Sequence, residues 1–110
     1  MLIFHIVIPD NITKIGDIRR KKTNLTVVGK VELKRNEPTP WKKHAIAQIS
    51  DETGKIWLSL WREQIGQVNV GDTILLTNAF IRTDKGRTTL NTWNEVILKI
   101  NPDEIKTKKS

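Results

Sequence analysis

Between Asn24 and Lys34 apolar and polar side chains alternate: Leu25, Val27, Val31 and Leu33 share one parity, and Thr26, Lys30, Glu32 and Lys34 the other. That is the period of a strand with one face in a core. Gly29 sits on the apolar parity, where a missing side chain marks a sharp bend or a close backbone approach. Arg35 to Lys43 holds two prolines among polar residues and reads as an exposed connection. His44 to Ser50 is a second strand, with Ala45, Ala47 and Ile49 inward, and Asp51-Glu52-Thr53-Gly54 is the turn that closes a hairpin. In the third strand, Lys55 to Trp61, the aliphatic residues Ile56, Leu58 and Leu60 share one face, and Trp57, Ser59 and Trp61 the other. With the aliphatic face inward, both tryptophans point away from the core.

Arg62 to Gln67 then has room for a helical turn or two, and Val70-Gly71-Asp72 is a tight turn. Thr73 to Thr83 forms a fourth strand, Asp84-Lys85-Gly86 a turn, and Arg87 to Trp93 a fifth strand with Trp93 on the outward parity. Glu95 to Ile100 prolongs the pairing. Five strands with one short helix between the third and fourth predict an all-β fold, a five-stranded Greek-key barrel of the OB type. A β-sandwich is the competitor, but usually needs about seven strands. The expected division is an N-terminal segment over 1–11 that can add a strand, the barrel over 12–100, and a charged tail over 101–110. Leu2 to Ile8 is too short to span a bilayer and lacks the flanks of a signal peptide, so the expected location is cytoplasmic.

Composition sharpens this picture. The 110 residues carry 19 Lys plus Arg against 12 Asp plus Glu, a formal charge of +7, and no Cys, which excludes disulfides, thiolate metal sites and thiol catalysis. His5 and His44 lie far apart with no carboxylate cluster at ligand spacing, so no metal or cofactor is expected. Ser50 and Ser59 have no paired base, and no Gly-rich phosphate loop is present, so the expectation is a binding protein and not an enzyme.

Four of the six aromatics are Trp and the other two are Phe. On a basic chain such residues can stack on bases, or they can simply build a core. Parity favours stacking for Trp57 and Trp61, since the opposite face already has three aliphatic residues to bury. Trp93 follows the same argument from Leu90. Trp41, beside Lys42 and Lys43 in the Pro-rich connection, is either a mobile clamp or a residue packed under its own loop. Phe80 shares parity with Ile74 and Leu76, so periodicity alone buries it unless a bulge near Asn78 turns it outward. Arg19-Arg20-Lys21-Lys22 reads as a solvated run. Lys30, Lys34, Lys42, Lys43, Arg82, Lys85 and Arg87 lie on outward parity or on the loops after strands one and four, where an OB barrel has its groove. His44 stands at the mouth of the second strand, placed for a polar contact.

The run Ile49-Ser50-Asp51-Glu52-Thr53-Gly54-Lys55-Ile56-Trp57-Leu58-Ser59-Leu60-Trp61 resembles archaeal single-stranded DNA-binding proteins and their replication protein A relatives. The resemblance continues through Val70-Gly71-Asp72, Thr77-Asn78-Ala79-Phe80, Lys85-Gly86 and Leu90-Asn91, and Ile15-Gly16-Asp17-Ile18 resembles the family's lead-in. It implies an OB fold that binds single-stranded DNA with little sequence preference, in replication, repair or recombination. It also implies stacking at Trp61 and Phe80, the second of which it turns outward. Asp84 departs from the pattern, standing where the simpler archaeal proteins carry a further aromatic. The expected site spans about 4–6 nucleotides on a monomer or weakly associating protein. Two alternatives stand beside it. One is an RNA-binding OB domain. The other is a protein-interaction subunit of a replication protein A-like complex, with Leu2 to Ile8 able to pair with a sheet edge.

Overall fold

A computed structural model describes residues 11–101. Its strands are β1 (Leu25–Asn36), β2 (His44–Asp51), β3 (Gly54–Trp61), β4 (Thr73–Asp84), β5 (Arg87–Thr92) and β6 (Leu98–Ile100). A 3-10 helix, Arg62–Gln67, separates β3 from β4. Along the sheet the order is β1-β2-β3-β5-β4-β6, and a further pairing between β1 and β4 closes the first five into a ring. All contacts are antiparallel except β3 with β5, which are parallel and joined by two residue pairs, Trp57 with Thr89 and Leu58 with Leu90. This is the expected all-β OB architecture, with β6 added along β4.

β1 closes the ring because it is long enough to serve two neighbours. Its first half pairs with β4 and its second half with β2, with Lys30 opposite both Thr73 and Ser50. The bend falls at Gly29, where an added Cβ would lie 3.1–3.2 Å from atoms of Ile49. A larger residue there would fit only if the Ile49 side chain gave way by a few tenths of an ångström. Leu25, Val27, Val31, Ala45, Ala47, Ile49, Leu58, Leu60, Ile74, Leu76 and Leu90 fill the interior, all essentially closed to solvent.

Two bulges alter the simple alternation. The register of β1 on β2 shifts between Val31 and Leu33, so Leu33, expected inward, is 38% exposed. One inserted residue exchanges the faces of everything beyond it. In β4 the extra residue lies opposite the Leu25-to-Val27 step, with Asn78 at φ 54°. Asparagine tolerates that left-handed conformation better than most residues. Past it Ala79 is fully buried and Phe80 lies on the outer face.

The lead-in seals one end of the ring. Ile15–Asp17 forms a 3-10 turn and Ile18–Lys21 one turn of α-helix (α1), placing Ile15 and Ile18 in the core. The hairpin turn holds it: Asp51 Oδ2 accepts from the Ile15 N–H at 2.8 Å, and Thr53 Oγ1 accepts from the Gly16 N–H at 2.7 Å. Burial disfavours the charged form of Asp51, but the N–H of Ile15 and the hydroxyl and N–H of Thr53 outweigh it, and its carboxyl is held below the usual range. The Leu2 to Ile8 segment and most of the charged tail fall outside the described residues.

Candidate nucleic-acid interface

Three hollows open along β3 and β5, two of them on the outer face of the sheet and one where Ile15 and Ile18 of the lead-in meet β3. The first, about 310 Å³, is lined by Trp57 with Ile18, Lys55 and Arg87 among others. The central one, about 380 Å³, is lined by Glu37, Pro38, Thr39, His44, Ser59, Trp61, Arg82, Asp84, Arg87, Thr89 and Asn91. The third, about 720 Å³, includes Lys42, Trp61, Phe80, Arg82, Asn91 and Trp93. Trp61, Arg82 and Asn91 border both the second and the third, which make one groove, and the first meets it only at Arg87.

The aromatics enter it as pairs. Trp61 and His44 are cross-strand partners in the β2–β3 ladder, and their rings stack with centroids 4.0 Å apart. Phe80 and Trp93 stack at 4.6 Å, and Trp93 remains 73% exposed. Such pairing holds each ring in one orientation while leaving apolar surface open. The Lys42 ammonium lies 5.7 Å from the Trp61 ring centroid, and the Arg35 guanidinium 5.5 Å from that of Trp57, both within cation–π range.

Around these rings the sheet surface is polar and buried: His44, Ser59, Thr89 and Asn91 all lie at or below 8% exposure. His44 Nδ1 lies 3.1 Å from the Glu37 carbonyl oxygen. Asn91 donates its amide N–H to Thr89 O and Oγ1 at 3.2 Å each.

Two glutamines that the sequence reading did not single out position this surface. Gln64 Oε1 accepts from the Trp61 N–H at 3.0 Å, and its Nε2 donates to the carbonyls of Thr92 and Asn94 at 3.3 and 2.7 Å. Gln67 donates to Glu95 O and accepts from the Ile97 N–H. The segment that carries Trp93 is thus tied to the helix that follows Trp61. The signal was present: Gln64 lies three residues after the last β3 residue, the position from which a side chain caps a helix start.

The other candidate residues fall in different places. Arg82 lies centrally and Lys42 borders the third hollow. Arg87 reaches the groove, but Glu37 holds it in a two-pronged ion pair at 2.9 and 3.0 Å. That contact keeps the Glu37 carboxyl below its usual range and raises Arg87. Lys34 donates its ammonium to the Ile65 carbonyl, away from the groove. Lys30 stands at the β1 bend and Lys85 at the β4–β5 turn, and neither they nor Lys43 and Trp41 border any of the three hollows. Trp41 is 86% exposed, not packed beneath its loop. Among the described residues no group of three or more His, Asp or Glu is arranged to hold a metal, and no helix is long and apolar enough to cross a membrane.

Comparison with known proteins agrees with this geometry. A family model described as cell division control protein 24, OB domain 3, matches residues 17–101. Among solved structures, an OB domain from Methanosarcina mazei superposes with a TM-score of 0.68 at 22% identity, covering 90% of this chain and 93% of that one. An OB domain from Thermoplasma acidophilum gives 0.64 at 22% identity, covering 82% and 87%. The replication factor A related protein of Methanobacterium thermoautotrophicum gives 0.60 at 23% identity, covering 84% and 94%. No curated protein matches the chain.

Proposed function

The chain belongs to the family of cell division control protein 24, OB domain 3, and from that membership we propose that it binds single-stranded DNA with little sequence preference. The reading is of a binding module, not an enzyme, serving exposed strands in replication, repair or recombination. The observation that carries it is the convergence of Trp61, Phe80 and Trp93 with Arg82 and Lys42 on one groove. Open aromatic faces accept any base, because every base has a π-face, and the neighbouring cations neutralise the backbone. Solved relatives described as replication factor A related and as an OB domain of replication protein A support the replication setting.

The charges favour stacking over long-range attraction. Residues 1–55 hold 11 basic and 6 acidic residues, whereas 56–110, with three of the four tryptophans, hold 8 and 6. Glu63 and Glu95 border the third hollow beside Lys42, Arg62 and Arg82. Titration with oligo-dT should quench tryptophan fluorescence, and log K should fall with log salt at a slope of about −3 if four phosphates are contacted. Unchanged fluorescence together with no affinity in low salt would refute the proposal. Matched DNA and RNA strands in competition assign the sugar.

A further inference from the structure

We infer that the central hollow receives one nucleobase by its hydrogen-bonding edge and takes a base bearing an exocyclic amino group in preference to thymine. The inference rests on the proposed DNA-binding function and adds one selective position to an otherwise tolerant groove.

His44 carries it. The imidazole is only 7% exposed, with one face against Trp61 and Nδ1 held by the Glu37 carbonyl. A carbonyl can only accept, so Nδ1 carries the proton, and in the neutral ring Nε2 is left as a bare acceptor. Among the described residues, Nε2 is the one buried side-chain nitrogen or oxygen with no hydrogen-bond partner. Folded proteins satisfy nearly all such atoms, and an exception calls for an explanation. The Trp61 stack and the Glu37 bond account for the ring and for Nδ1, and neither accounts for Nε2.

The surroundings agree in kind. Asn91 points its amide nitrogen at Thr89, which leaves the amide oxygen as a second acceptor on a wall shared with Ser59 and His44. An acceptor-rich wall needs N–H groups. Cytosine, adenine and guanine present an amino group with two N–H donors, enough for both the His44 and the Asn91 acceptor, whereas thymine has a single ring N–H and can satisfy only one of them. Arg82, on the same hollow, supplies donors for the ring nitrogen or carbonyl beside the amino group. At about 380 Å³ the hollow is at the small end of ligand sites, suited to one base and not to a stack of them. Nε2 is closed to solvent in the free protein, so a base reaches it through a local shift, driven by satisfaction of an acceptor that otherwise has no partner.

The test compares three short strands: oligo-dT, the same strand with one central dC, and the same strand with N4,N4-dimethyl-dC, which keeps the ring and removes both amino protons. The dC strand should bind about 5–10-fold more tightly than oligo-dT, the yield of one well-formed hydrogen bond, and the dimethyl strand should lose that gain. His44→Phe, which retains a ring for Trp61 but deletes the Nε2 acceptor together with the Nδ1 bond to Glu37, should bring the dC strand and oligo-dT to equal affinity, whatever that common affinity is. Equal binding of all three strands by the native protein overturns the inference and leaves DNA binding intact, as does a dC preference that survives in His44→Phe. Binding of none of them overturns the proposed function instead.

Discussion

Gln64 is a small side chain on which the geometry of the groove depends. Its amide joins the Trp61 N–H to the carbonyls of Thr92 and Asn94, which flank Trp93, and it is buried. Gln64→Ala deletes three hydrogen bonds and leaves their partners unmatched in a region with little water. At about 0.5–1.5 kcal/mol net for each bond, the loss is about 2–4 kcal/mol. For a domain of this size, with about 4 °C per kcal/mol, the melting temperature should fall by about 8–16 °C. Circular dichroism on heating and urea titration both measure it. Gln64→Glu separates the hydrogen bonds from mere volume: it keeps an acceptor for Trp61 but turns a carboxylate oxygen toward two carbonyls, and should be at least as unstable as the alanine variant. Both should bind oligo-dT several-fold more weakly below their melting temperatures, because the two aromatic pairs lose their fixed relation. An alanine variant within about 0.5 kcal/mol of native, or a glutamate variant equal to native, would refute the reasoning.

Other outcomes follow from the same groove. Trp61→Ala should weaken oligo-dT binding by about 1–3 kcal/mol, the worth of one base stack, and Trp41→Ala by less, since Trp41 borders none of the hollows; equal losses in a fluorescence-anisotropy titration would contradict that ranking. Glu37→Gln frees Arg87 for a phosphate, so affinity at low salt should rise and the salt slope should steepen by about one unit, and an unchanged slope would mean that Arg87 does not reach the backbone. Asp51 is held below its ordinary carboxyl range in the folded protein. Its contribution is therefore full above the unfolded value near pH 4 and is lost as pH falls through the folded value. Asp51→Asn should lower stability at pH 7 and flatten the acid limb of a stability profile below about pH 4. A variant whose profile parallels the native one would remove Asp51 from the account.

What the sequence disclosed, and what it withheld, divides along a physical line. Alternation within one strand was enough to put Leu58 and Leu60 inside and Trp57 and Trp61 outside, because side chains change face at every residue whatever the neighbours do. The faces of Leu33 and Phe80 depend instead on bulges, which belong to the register between two strands. Asn78 marked one of them as a residue tolerant of positive φ, but only resemblance to a family turned Phe80 outward. Cations were harder still. Lys34 and Arg87 have the parity of groove residues, yet a carbonyl of the 3-10 helix holds one and Glu37 the other, and these contacts join parts of the chain 31 and 50 residues apart. Gln64 and Gln67 act over similar separations.

The junction of β3 with β5 consists of two residue pairs, and beyond Leu58 no ladder joins them. Ser59 and Trp61 on one strand and Asn91 on the other border the central hollow at this place. A strand of DNA lying there would act as a splint across the sheet's thinnest join. Occupancy then resists unfolding as well as recruiting ligand, by the usual dependence of stability on free ligand and its dissociation constant. The backbone amides of Ser59, Trp61 and Asn91 would slow their exchange with solvent on saturation more than those in the β1–β2 ladder, which is already continuous.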